Sequence, residues 1–136
     1  MKVLQSGMYS LVTGLIGGKH NSFYTSISGR FYYGYAPQDT PFPYCVYHVI
    51  TSAYDFMFQE EFEDVVVQFN ICSKSPSSSE TGDILPYLYT LFDWASLSVS
   101  GYTCISTERI FSTTDWFDEE GVWETIVQYR ILLQKD

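Results

Sequence analysis

Three runs of this chain alternate side chains with a period of two, and that period restricts them to β-strands. In "YCVYHVIT", residues 44–51, Tyr44, Val46, His48 and Ile50 fall on one side and Cys45, Tyr47, Val49 and Thr51 on the other. Apolar groups on both sides predict burial of each. In "VVVQFNICS", residues 65–73, Val65, Val67, Phe69 and Ile71 make an apolar face, opposed by Gln68 and Asn70 with Val66 and Cys72. In "VWETIVQYRILLQ", residues 122–134, Trp123, Thr125, Val127, Tyr129, Ile131 and Leu133 share one side, against Glu124, Gln128 and Arg130 with Ile126 and Leu132. "YTCISTERIFSTTDWF" is a further strand, and "DEEG" joins it to the last run, with Gly121 free to take positive φ. Pro41 and Pro43 fix extended backbone ahead of Tyr44, which makes "DTPFPY" the start of a strand.

Two stretches follow the helical period instead. Leu4, Met8, Leu11 and Leu15 are spaced four, three and four apart, one stripe of an amphipathic helix, and Gly17 and Gly18 are expected to stop it. The segment after them, residues 20–40, is expected to be loop or short strand. Ile84, Leu88, Leu91 and Ala95 mark a second helix, N-capped by Ser78 or Ser79, with Glu80 and Asp83 placed favourably in its first turns. Pro86 lies inside that pattern and predicts a kink or a late start. The expectation is one α+β domain over residues 1–136: a mainly antiparallel sheet of four to five strands, with two helices on one face.

Composition then narrows the chemistry. Seven basic residues against sixteen acidic ones give a net charge of -9, and the basic residues are scattered, so a phosphate-binding surface is not expected. Cys45, Cys72 and Cys104 are odd in number and lack CxxC spacing, which argues against a disulfide framework and a zinc ribbon. "TGLIGGKH" fails the phosphate-loop spacing, because its first glycine position is Thr13 and its final hydroxyl position is His20. His20 and His48 have no chelating neighbour, and His48 is expected to be half-buried and hydrogen-bonded. No signal peptide and no run long enough for a membrane span is expected, and neither is a metal or another cofactor.

The acids are more informative. Asp55, Glu60, Glu61, Glu63 and Asp64 form one cluster, and Asp115, Asp118, Glu119, Glu120 and Glu124 another, so ten of the sixteen acids lie in two hairpin regions. Loops of like charge projecting together suit contact with a basic partner or the wall of a passage. Glu60, Glu61, Glu63, Asp64, Asp118, Glu119 and Glu120 are therefore the candidate interaction residues. The aromatics Tyr32, Tyr33, Tyr35, Phe56, Phe58, Trp116, Phe117 and Trp123 leave a second reading, a carbohydrate-binding module that stacks on sugar rings.

Pro43 to Tyr47, Val67 to Cys72 and the Ser-rich helix start at Ser77 to Ser79 together resemble the tail terminator (tail completion) proteins of long-tailed bacteriophages and prophages, over roughly residues 3–134. Cys72 stands where that family commonly has an aromatic. The resemblance implies a structural virion protein rather than an enzyme: a small α+β subunit, assembled in the bacterial host's cytoplasm, that forms a homo-hexameric ring on the head-proximal end of the tail. Its implied partners are its own copies, the tail tube protein and a head completion protein, with DNA only in transient passage and no membrane.

Overall fold

The computed structural model describes residues 2–57, 60–74 and 76–136. Helix α1 (Lys2–Thr13) forms where Leu4, Met8 and Val12 recur once per turn, and these three are its buried residues. It ends before Leu15, which is 60% exposed, so the stripe is shorter than the spacing predicts. Gly17 and Gly18 do not cap it. With φ of 59° and 78° they form the two-residue turn of a miniature hairpin, in which Ile16 and Lys19 exchange backbone hydrogen bonds at 2.9 and 3.1 Å. A turn with positive φ at both central positions is one that two glycines adopt without strain.

Where loop or short strand is expected, residues Ser22–Ser26 form a short helix, α2. Asn21 Oδ1 accepts from the Tyr24 N–H at 2.8 Å, while Asn21 Nδ2 donates to the Val12 carbonyl at 2.8 Å. One side chain thus caps α2 and ties it to the end of α1.

The strands are β1 (Phe31–Tyr33), β2 (Tyr44–Met57), β3 (Glu60–Ser73), β4 (Ser98–Val99), β5 (Tyr102–Phe117) and β6 (Val122–Lys135). They make one six-stranded sheet in the order β1-β2-β3-β6-β5-β4, antiparallel except for the β1–β2 pair. A third helix, α3 (Ser79–Phe92), connects β3 to β4. The class is α+β as expected, with six strands and three helices among the described residues where four to five and two are predicted. β1, β4 and α2 are the additions, too short to show a period.

The core lies between the helices and one face of the sheet. Cys45 and Tyr47 of β2, Val65, Val67, Phe69 and Ile71 of β3, and Val127, Tyr129, Ile131 and Leu133 of β6 cluster with Leu4, Met8, Val12, Phe23, Ile84, Leu88 and Phe92. Phe69 is its centre: its ring lies 4.8 Å from Phe92, 5.9 Å from Tyr129 and 6.3 Å from both Phe31 and Tyr47. Arg30 fixes the proline-rich approach to β2 by donating to the carbonyls of Pro43 and Phe42 at 2.9 and 3.2 Å.

Among the described residues three register shifts interrupt the ladders, each at an isoleucine. Ile50 lies between the paired residues Val49 and Thr51, Ile105 between Cys104 and Ser106, and Ile110 between Arg109 and Phe111. The three are 41%, 49% and 48% exposed. A bulge inverts the alternation that follows it. Ser52 rather than Thr51 therefore lies opposite core-facing Val65, and Thr51 does not share a side with Cys45 and Tyr47 as strict alternation predicts.

Helix α3 starts at Ser79 and runs through Pro86, without the late start expected. Thr81, Ile84, Leu88 and Phe92 are its buried residues, whereas Leu91 is half-buried and Ala95 lies beyond its end. Pro86 and Gly82, whose carbonyl loses its ladder partner, are both exposed, so water can satisfy that group.

Candidate functional site

Each edge of the sheet is capped along one half and open along the other. β1 covers Cys45 to Tyr47 of β2, the Gly34 N–H donates to the Tyr47 carbonyl at 2.9 Å, and the Val49 N–H reaches the Tyr33 hydroxyl at 3.4 Å. Among the described residues nothing pairs with the outer edge of β2 over residues 50–57. On the far side, β4 covers Tyr102 and Thr103 of β5, and the Trp94 N–H donates to the Thr107 carbonyl at 3.0 Å. Among the described residues nothing pairs with the outer edge over 110–117. Here Ile110, Phe111, Trp116 and Phe117 are between 42% and 49% exposed. Long open edges bearing apolar groups are ready templates for another strand. Sequence reasoning missed these edges, because edge position depends on strand order, which periodicity does not encode.

The two acidic clusters lie at opposite ends of the sheet. Phe62 pairs with Gln134 near the end of β6, whereas Cys72 pairs with Glu124 near its start, so within one chain the hairpins do not project together. Their electrostatics differ as well. Lys135 lies 3.3 Å from Glu61, and Arg130 lies 3.1 Å from Asp64. Ser52 donates to Glu63 at 2.8 Å, and Gln134 donates to Glu60. Arg130 and Lys135 of β6 thus offset two charges of the β2–β3 cluster, and uncharged donors bond two further acids. At the other end Asp118 accepts from Trp116 Nε1 at 3.2 Å, and among the described residues no cation forms an ion pair with Asp118, Glu119 or Glu120. The exposed acidic prong is the β5–β6 turn.

The sheet face away from the helices carries a chain of amides. Gln128 Nε2 donates to Gln68 at 3.0 Å, Gln68 Nε2 to Asn70 at 2.9 Å, and Asn70 Nδ2 to Glu124 at 3.0 Å. His48 is half-buried on this face as expected, but its Nδ1 lacks the expected hydrogen bond among the described residues. At the lower end of the face an open groove of about 550 Å³ is lined by Phe42, Tyr44, Cys72, Lys74 and Glu124 among others. Burial, reinforced by the Glu124 carboxylate, pushes the Cys72 thiol up to about 12. Burial likewise raises Cys45 well above the ordinary thiol range. Both therefore stay protonated at neutral pH, the form that does not attack as a nucleophile.

The aromatics do not gather into one platform. Tyr33 packs edge-on against Tyr47 near the β1 edge, while Trp116 lies 5.2 Å from Trp123 near the other side of the sheet. Tyr35 is 77% exposed and Tyr32 half-buried. Phe58 lies outside the described residues, as do the side chains of Asp55 and Phe56. A further exposed aromatic, Trp94, was not singled out by any pattern; it is 78% exposed with φ of 60° just after α3.

Among the described residues the helix-backed sheet thus leaves two half-edges unpaired and one acidic turn exposed. The family model for Tail completion protein gp17 matches residues 19–134, and the chain belongs to that family of structural tail proteins. Among solved structures it is similar to a chain from the virion of a native gene transfer agent particle, with a TM-score of 0.74 at 10% identity, covering 96% of this chain and 94% of that one. That likeness is one of fold. No individual curated protein matches it significantly.

Proposed function

We propose that the chain is a tail terminator: six copies close into a ring on the head-proximal end of the tail tube, stop the addition of tube protein and offer a surface to a head completion protein. The observation that carries this reading is the pair of half-open sheet edges in a chain of the tail completion family. Two different edges on one subunit suit a head-to-tail contact, which closes into a ring when the rotation is right. The ring belongs to the virion tail and is assembled in the host bacterial cytoplasm. Its partners are its own copies, the tube protein and the head completion protein.

DNA passes through such a ring without being held. The formal charge of -9 per subunit repels a polyanion, and Asp118, Glu119 and Glu120 supply exposed charge without a paired cation among the described residues. Glu60, Glu61, Glu63 and Asp64, largely paired within the subunit, serve its shape more than its field.

The test is assembly of the cognate tube protein with and without this chain, with tube lengths measured by electron microscopy. Sub-stoichiometric addition is expected to shorten the tubes and leave density at one end. Unchanged lengths with bare ends overturn the reading.

A further inference from the structure

We propose that the subunit contact is a strand pairing between the two open half-edges: residues 110–117 of β5 in one copy run antiparallel beside residues 50–57 of β2 in the next. This rests on the ring reading above and specifies its contact.

The two half-edges match in several independent ways. They are equal in length, and each begins at a bulged isoleucine, Ile50 or Ile110. Each has serine two places on, at Ser52 or Ser112, and an acid three places further, at Asp55 or Asp115. Within the sheet β2 and β5 run in opposite directions, so copies related by rotation about an axis along the strands present them antiparallel. In the register one step short of full overlap, which keeps the helix-side residues Ser52 and Thr114 on one face of the joined sheet, Thr51 lies opposite Asp115, Ser52 opposite Thr114 and Ala53 opposite Thr113. Asp115 then faces the Thr51 hydroxyl rather than another acid, which avoids the like-charge penalty of cross-strand pairs.

The capped and open halves are also placed diagonally. β2 is open toward the end near Gln134, and β5 is open toward the end near Val122. Pairing them displaces each copy along the strand by about 25 Å at the usual rise per residue. In a closed sheet that stagger is absorbed by tilting the strands. The surface is adequate: at about 200 Å² for a large aromatic, Ile110, Phe111, Trp116 and Phe117 expose roughly 350 Å², close to half of the ~800 Å² that each partner gives to a standard interface. A two-fold pairing of β5 with β5 would cover that surface too, but would leave the β2 half-edge unpaired.

The experiment uses two single variants, Ala53→Cys and Thr113→Cys, each made with Cys104→Ser because Cys104 is the half-buried thiol. Mixed under oxidising conditions they are expected to give a disulfide-linked dimer that neither gives alone. A dimer of Thr113→Cys with itself overturns the proposal in favour of two-fold pairing. Amide hydrogen exchange on the unmodified chain provides the second arm. Assembly is expected to slow exchange at least tenfold in both 50–57 and 110–117. A six-fold ring in which both segments exchange as fast as in the monomer overturns the strand pairing and leaves the ring reading standing. A chain that assembles neither alone nor on tube ends overturns both.

Discussion

The Tyr129 hydroxyl donates to Asp93 Oδ1 at 2.6 Å and so joins the middle of β6 to the residue that follows α3. Arg109 of β5 lies 3.6 Å from the same carboxylate, with its guanidinium 3.5 Å over the Tyr89 ring, and the Tyr89 hydroxyl donates to Ser112 at 2.8 Å. This network pins the end of α3 to the strand whose lower half is open. Burial and the Asp93 carboxylate hold the Tyr129 phenol protonated, far above its usual range. Tyr129→Phe is expected to cost about 1.5–3 kcal/mol, the worth of a hydrogen bond to a charged group. Asp93→Ala is expected to cost more, because it orphans a buried hydroxyl and deprives Arg109 of its partner. Urea midpoints check both, and two negligible shifts contradict the network.

Alkaline pH is expected to weaken the fold. Burial is the main cause in each of three groups that reach about 12: Cys72, Tyr44, which also feels Cys72, and Tyr47, which also feels Tyr9 and Tyr33. Because these folded-state values are raised, the unfolded chain releases its protons first, and in that range it binds fewer protons than the native state. Their contribution is complete below the ordinary thiol and phenol values, about 8.5 and 10, and is lost as pH climbs toward 12. The denaturation midpoint at pH 10.5 should fall below that at pH 8, and Cys72→Ala should shrink the difference. A flat profile contradicts the assignment.

Two glycines in helices are expected to respond to alanine with opposite sign. A Cβ on Gly7 of α1 would lie 2.5 Å from the Ser98 carbonyl oxygen, a backbone atom of β4, so Gly7→Ala must separate the helix from that strand. It is expected to destabilise by about 1–3 kcal/mol. A Cβ on Gly82 of α3 meets open space, and Gly82→Ala is expected to stabilise by about 0.5–1 kcal/mol through helix propensity. Thermal melts of the two variants decide the matter, since equal signs would mean that the α1–β4 contact is not close.

Much of this fold is legible in the chain because burial sets the period. Val65 to Ile71 and Val127 to Leu133 alternate strictly and are the strands whose inner faces are fully buried. Bulges are what the alternation could not report, since Ile50, Ile105 and Ile110 look like ordinary strand residues until their register is known. Helix α2 was missed because five residues cannot show a period, although Asn21 ahead of "SFYTS" was a readable cap signal. The acids were found by counting, but their unequal pairing was not. It depends on β6 lying beside β3, which brings Arg130 and Lys135 to Asp64 and Glu61.

That inequality yields a prediction for the proposed ring. Glu119→Lys with Glu120→Lys is expected to leave subunit stability within about 0.5 kcal/mol, as exposed substitutions do, while slowing genome ejection from phage carrying it. Glu61→Lys places a cation beside Lys135 and is expected to act on stability instead. Ejection kinetics unchanged by the double variant would remove the electrostatic role from the β5–β6 turn.

The most direct measurement is cryo-electron microscopy of tail tubes assembled with this chain, averaged at their ends. The account predicts one added layer at one end of each tube, with six-fold symmetry and with the β5 edge of each subunit against the β2 edge of its neighbour. Tubes whose ends carry no such layer, or a layer of isolated subunits bound to tube protein without touching one another, would contradict it.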